Sequence, residues 1–296
     1  MQYIVEQGLN ALSIGAEYAL LALGLAIVFS IMGLVNFAHG ELLGVGGYAM
    51  YAVLLFGIGD LWVILGTAVI AVVVSAVLLE RIAFRPVRHA PATTGLLTAF
   101  GVSIVLQNIF LLTVSPRPKS IPPLSVLNTT VLIGDYTFSI LQFFEAGVTA
   151  IAITLLVLFL RRTRLGMAMR AAAYDFTTVR LMGIRANRVI ATAFAISGAL
   201  AGIAAIFFLA RRGAVDPFMG LVPVLKAFVA CVLGGFGSLV GAVVGGLLLG
   251  GLEVAILLLL PEGLGGLRDA AVFFGVGALL VWRPQGLLGR KGELGG

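Results

Sequence analysis

The sequence predicts an all-α, polytopic transmembrane bundle with glycine-broken helices. Three observations carry that class: 60% of the 296 residues are hydrophobic, only 11% are charged, and long runs contain no charge at all. A soluble domain usually has about 45–50% apolar and about 25% charged residues, so an ordinary cytoplasmic enzyme is excluded. A β-barrel is disfavoured as well, because it would show weak ten-residue alternation and not unbroken apolar runs.

A spanning helix needs roughly 20 mainly apolar residues to cross about 30 Å of hydrocarbon. The runs that meet this are Ala11 to Ile31, Leu61 to Leu79, Thr94 to Val114, Ser139 to Leu160, Val189 to Ala210 and Ser238 to Leu260, with a shorter one from Arg268 to Trp282. Two further stretches, Asn36 to Gly57 and Leu221 to Phe236, are apolar but rich in glycine. The total is about eight or nine hydrophobic segments, and residues 1–296 read as one transmembrane domain. Met1 to Asn10 has no basic n-region and the first run is full length, so no cleaved signal peptide is expected.

The net charge of +6 would suggest a polyanion partner in a soluble protein. Here its placement speaks of sidedness, and no nucleic acid is expected. No Lys or Arg precedes Arg81; basic residues then gather at Arg81, Arg85 and Arg88, between Arg161 and Arg188, and at Arg283, Arg290 and Lys291. With nine crossings all three groups share one side, which the positive-inside rule makes cytoplasmic, leaving the N-terminus outside and the C-terminus inside. Residues 161–188 hold seven arginines against Asp175 alone, so the whole surplus lies in that one connection.

Catalytic and metal chemistry are poorly supplied. Cys231 is the single cysteine and lies in an apolar run, and His39 and His89 form no HExxH. A Walker A loop needs Gly-Lys followed by Ser or Thr, whereas Lys119, Lys226 and Lys291 follow Pro, Leu and Arg. ATP, if it drives anything here, must be bound by another subunit, and no cofactor is expected in this chain.

The informative positions interrupt the apolar pattern. Between Gly33 and Gly47, five glycines and the polar Asn36, His39 and Glu41 break what would be a helix. Two readings are open. One is a discontinuous helix lining a translocation path, since irregular backbone at membrane depth survives only within protein or beside water. The other is a tight cytoplasmic turn with Asn36 as N-cap and Glu41 in the first helical turn. A second break holds Gly234, Gly235, Gly237 and Ser238, followed by glycines at four-residue spacing, Gly237, Gly241 and Gly245, then Gly246 and Gly250. Such faces suit close helix packing. No residue-level repeat is strong enough to assert. Glu17, Lys226 and Glu253 lie inside apolar runs and should face protein or water; an ion-coupled secondary carrier would use such groups, which keeps that class open.

In the basic connection, Asp175 is a good N-cap, Phe176 to Met182 make about two turns, and Gly183 suits the position after the helix. Phe176, Val179 and Met182 form an apolar ridge with Arg180 beside it, fit for docking on a partner or for lying on anionic headgroups.

The motifs GLVNFAHGELLGVGGY at 33 to 48, RAAAYDFTTVRLMGI at 170 to 184, Asn187 to Ile190, Lys226 to Phe228, Val232 to Gly235, GSLVGAVVGGLLLG at 237 to 250, and Pro284 to Gly289 occur in order along nearly the whole chain. Together they resemble the inner-membrane permease subunits of ABC importers for branched-chain amino acids, the LivH type. The resemblance implies translocation of hydrophobic amino acids, with a second related permease, two ATP-binding subunits and a periplasmic or extracellular binding protein as partners in the lipid bilayer. It also implies that the ATPase is contacted by the 161–188 loop, through Arg170, Ala171, Ala172, Ala173, Asp175, Arg180 and Gly183. Relatives commonly carry an acid where this chain has Tyr174. A substrate path is expected through Asn36, His39 and Glu41, facing Gly234 to Ser238. Similar permeases also serve urea and short amides, so the cargo stays open within the family. A membrane-embedded enzyme ranks last, for want of a reactive constellation.

Overall fold

The computed structural model of the chain describes residues 2–133, 136–261, 265–283 and 286–288. Arg290, Lys291 and three residues of the terminal motif, Pro284, Gln285 and Gly289, lie outside the described residues. Helix α1 (Gln2–Met32) is followed by a 3-10 turn at Phe37–His39 and by α2 (Glu41–Leu55). Helix α3 (Leu61–Leu79) continues through a π turn at Glu80–Phe84 into α4 (Arg85–Val87), and α5 (Ala92–Thr113) and α6 (Ile140–Arg162) follow. Two short helices, α7 (Arg164–Tyr174) and α8 (Phe176–Leu181), lead into α9 (Ala186–Arg212), α10 (Leu221–Gly234), α11 (Leu239–Leu259) and α12 (Arg268–Trp282). The only strands among the described residues are short: β1 (Lys119–Ser120) pairs antiparallel with β4 (Ala214–Val215), and β2 (Thr130–Ile133) with β3 (Tyr136–Ser139).

Seven helices among the described residues are long and apolar enough to cross a membrane, and α10 is a shorter apolar one. With α2, they account for the nine hydrophobic segments. The sequence windows mark hydrocarbon depth and not helix length. Thus α1 begins at Gln2, well before Ala11, because nothing in the polar first residues stops helix propagation. Local stops are chemical: Asp60 caps α3 by accepting from the Val63 amide at 3.0 Å, and Gly213 ends α9 with a φ of 71°.

Helix α1 is the centre of the bundle, with 83% of its apolar window buried against 17% for α5 and 11% for α12. It runs antiparallel to α9, Gly24 lying against Ser197 and Glu17 against Arg211. It is antiparallel to α11 too, where the small-residue face works as expected. A Cβ on Gly15 would stand 2.8 Å from the Leu247 Cα, and a Cβ on Gly246 or Gly250 would fall on the backbone of Ala19 or Gly15. Without a hydrophobic drive between helices in lipid, such close backbone approach supplies the association energy. Gly246→Ala should therefore cost at least about 1–3 kcal/mol and lower the melting temperature of the detergent-purified protein.

A repeat that the sequence does not assert is plain in the structure. Helix α1, Gly33 (φ 66°), Gly40, α2, Gly57 (φ 76°) and α3 are matched in order by α9, Gly213 (φ 71°), Gly220, α10, Gly237 (φ 83°) and α11. The same interval of chain separates Gly33 from Gly213, Gly40 from Gly220 and Gly57 from Gly237. Because α1 and α9 are antiparallel, the two units are inverted with respect to each other.

The antiparallel packing sorts the charges by end. Arg81, Arg85, Arg88, the arginines of 161–188 and Arg283 lie at the end where α1 finishes and α9 begins. Arg117, Lys119, Arg211, Arg212 and Arg268 lie at the opposite end, where acidic partners accompany several of them.

Candidate functional site

The first break is internal. Gly33 ends α1, and the chain re-enters the bundle so that Asn36, His39 and Glu41 are all buried. The His39 Nδ1 lies 3.2 Å from the Ser197 hydroxyl, midway along α9. The ring occupies the space left by Gly24, where a Cβ would approach the His39 Cε1 to 2.9 Å. Glu41 opens α2, where the helix N-terminus favours an acid, and its Oε1 accepts from Ser103 Oγ at 2.8 Å and Gln107 Nε2 at 2.7 Å, both on α5. Contacts to the middles of α1, α5 and α9 put the break at membrane depth, so the surface-turn reading is corrected. Asn36 makes no side-chain cap, and Gly40 takes the N-cap position of α2.

Gly40 meets its repeat mate. A Cβ on Gly40 would overlap the Gly220 carbonyl, and a Cβ on Gly220 would overlap the carbonyl of Gly40. The N-termini of the half-helices α2 and α10 thus converge at the bundle centre, backbone on backbone. Below them Phe37 stacks on Phe100 at 4.9 Å and lies 5.5 Å from Phe228, and Phe236 joins Phe228 to Phe29.

Gly234, Gly235, Gly237 and Ser238 do not face Asn36, His39 and Glu41. They form the α10–α11 turn at the basic end, one 14-residue helix, about 21 Å, from Gly220. What faces Gly40 is the other end of α10. Ser238 caps α11 by accepting from the Gly241 amide at 3.0 Å, and the tail closes the turn, with Leu287 N donating to Leu233 O at 2.8 Å and Leu288 N to Gly234 O at 3.0 Å.

At the end opposite the basic loop lies a cavity of about 600 Å³ between α1, α9, α10, α11 and α12. Lys226 Nζ projects toward it from α10, bonded to Glu253 Oε1 at 3.0 Å, Asp269 Oδ1 at 2.9 Å and the Tyr18 hydroxyl at 3.1 Å. Tyr18 donates to Glu253 at 2.6 Å, and Arg268 reaches the same carboxylate at 2.9 Å. On the far wall Arg211 binds Glu145 through both guanidinium nitrogens that reach it and lies 3.6 Å from Glu17. The sequence singled out Glu17, Lys226 and Glu253 as buried charges but could not pair them, and it missed Arg211, Arg212, Asp216, Arg268, Asp269 and Glu145. Their signal was present: each lies at or near the end of an apolar run, where a charge can turn inward.

In the basic loop, Thr163 caps α7 by accepting from the Gly166 amide at 2.9 Å. Arg170 and Ala171 to Ala173 form its last turns, Asp175 separates it from α8, which contains the backbone of Arg180, and Gly183 closes the unit at a φ of 79°. One detail differs from expectation. The Phe176, Val179 and Met182 ridge is not displayed as a whole: Val179 is buried and Phe176 half-buried, while Tyr174, Leu181 and Met182 are the exposed apolar groups. The short helix packs Phe176 and Val179 on its own protein and leaves Met182, just past its end, outside.

Comparison with known proteins agrees with this architecture. Residues 8–279 match the family described as branched-chain amino acid transport system / permease component. The chain is 35% identical over 97% of its length, and 96% of the relative's, to the high-affinity branched-chain amino acid transport system permease protein LivH of Salmonella typhimurium. To BraD of Pseudomonas aeruginosa, a permease protein of the same description, it is 36% identical with the same coverage. To LivM of Escherichia coli it is 32% identical over 92% of this chain and 67% of the relative. The match of residues 8–279 to the family, and of nearly the whole chain to LivH and BraD, makes this chain a member of the branched-chain amino acid transport system permease family.

Proposed function

We propose that the chain is a membrane subunit of an ATP-driven importer of branched-chain amino acids. It works beside a second, related permease, two ATP-binding subunits and an external binding protein. The observation that carries the mechanism is the meeting of two inverted half-helices at Gly40 and Gly220, which gives one chain two related halves able to open toward opposite faces. The basic end is cytoplasmic and the N-terminus external by the positive-inside rule. The chain carries no lysine in a phosphate-cradling loop, so ATP is hydrolysed by the partner.

The 161–188 loop couples the two. Arg170, Ala171 to Ala173, Asp175, Arg180 and Gly183 form and flank the helix pair that the ATPase grips, and closure of the ATPase dimer moves that pair and with it α9. Asn36, His39 and Glu41 line or brace the path at the centre, whereas Gly234 to Ser238 serve at its cytoplasmic exit. The test is uptake of labelled leucine by proteoliposomes holding the full complex. Uptake must need ATP and the binding protein and must survive an uncoupler; uptake that an uncoupler abolishes and ATP does not drive would replace this proposal with an ion-coupled carrier. In the same system Leu181→Asp with Met182→Asp should reduce co-purification of the ATPase at least tenfold, because both exposed side chains leave a docked surface for a charged one.

A further inference from the structure

The cavity at the end opposite the basic loop has walls of two kinds. Arg211, Arg212, Lys226 and Arg268 are the cations in or beside it; Glu17, Asp216, Glu253, Asp269 and Glu145, which is bound to Arg211, are the acids. The acids outnumber the cations by one, and the geometry identifies the one in excess. Glu253 is held by Lys226, Arg268 and Tyr18, and Glu145 by Arg211 and Ser13. Asp216 and Asp269 have ion pairs of their own with Arg212 and Lys226.

Glu17 is buried in α1, and among the described residues its single ion contact is Arg211 at 3.6 Å, through a guanidinium already bonded to Glu145. No hydrogen-bond donor among the described residues reaches this carboxylate, and a cavity wall is where a ligand can bring one. The other wall is apolar, formed by Phe208, Phe218, Met219 and Val222, of which Phe218 and Val222 are exposed. A volume of about 600 Å³ falls within the range of roughly 300–1,000 Å³ typical of small-molecule sites.

We infer that this cavity is a binding site for an apolar α-amino acid, with Glu17 receiving the ammonium group and Phe208, Phe218, Met219 and Val222 receiving the side chain. Arg212 takes the carboxylate. Its present partner, Asp216, is four residues away in the chain and the guanidinium is partly exposed, so exchange for a ligand carboxylate costs little. The inference rests on the proposed transport function and deepens it: selection for an amino acid continues inside the membrane, after release from the binding protein.

The experiment uses the purified permease–ATPase complex without the binding protein. Saturation-transfer NMR measures binding of leucine and of 4-methylpentanoate, which keeps the apolar group and the carboxylate but has no amine. The wild type should bind leucine at least tenfold more tightly than 4-methylpentanoate, and Glu17→Gln should erase that preference. Equal binding of the two compounds by the wild type, or an unchanged preference in Glu17→Gln, overturns the inference. Should Glu17→Gln fail to assemble, Val222→Trp fills the cavity without touching an ion pair and must abolish the leucine signal; a retained signal again overturns it. Uptake by the wild-type complex is read in parallel, so a complex that transports leucine but shows no dependence on Glu17 loses this inference and keeps the transport function.

Discussion

Lys226→Met is expected to destabilise the protein by about 3–5 kcal/mol, because removing one member of a buried ion pair leaves the other uncompensated. Lys226 and Glu253 are both almost wholly enclosed, and the ammonium also serves Asp269 and Tyr18. Arg268 still reaches Glu253 at 2.9 Å, which places the cost toward the lower end of that range. The double variant Lys226→Met with Glu253→Leu should recover much of the loss, since Arg268 and Asp269 are partly exposed and can turn to water. Thermal melting of the four proteins of this cycle in detergent checks it. Additive losses would mean that the pair is not coupled, and the charged wall would then have to be described differently.

Gly220→Val should have the larger effect on assembly. The added carbons meet the carbonyl of Gly40, and the Cβ alone would stand 3.0 Å from the Glu41 amide nitrogen. No flexible side chain can yield there; two backbones must separate. Overpacking ordinarily costs about 1–3 kcal/mol, and contact with backbone on both sides moves this case to the top of the range or beyond it. Little folded protein should accumulate, with Gly220→Ala intermediate in melting temperature and in leucine uptake. Gly101→Ala is the control: open space surrounds that Cβ, and alanine improves the helix by about 1 kcal/mol. Normal melting of Gly220→Val would remove the central contact from the account.

The features legible in the sequence were those that depend on near neighbours. Apolar runs located the spanning helices, Asp175 and Gly183 bounded α8, and the glycines spaced by four marked the faces of α11 that pack on α10, through Gly241 and Gly245, and on α1, through Gly246 and Gly250. The features that stayed hidden join distant parts of the chain. Nothing near Lys226 names Glu253 or Asp269, and nothing near Glu41 names Ser103. The inverted repeat escaped notice for a related reason. Its two copies share backbone requirements, met by Gly33, Gly40 and Gly57 and by Gly213, Gly220 and Gly237, while their side chains have diverged to suit opposite ends of the bundle. His39 and Met219 hold equivalent places in the two copies and have nothing chemical in common.

The contact of Gly40 with Gly220 has a mechanical meaning. The Gly40 carbonyl accepts from Leu43 and that of Gly220 from Val224, so each glycine is bonded within its own half, and no hydrogen bond among the described residues links the two. Neither has a side chain to interlock with the other. A contact of this kind resists compression and offers little resistance to rotation. It is a bearing and not a latch, and the ties that hold one orientation against the other must lie elsewhere, among the charges gathered around Lys226 in the first half of α10.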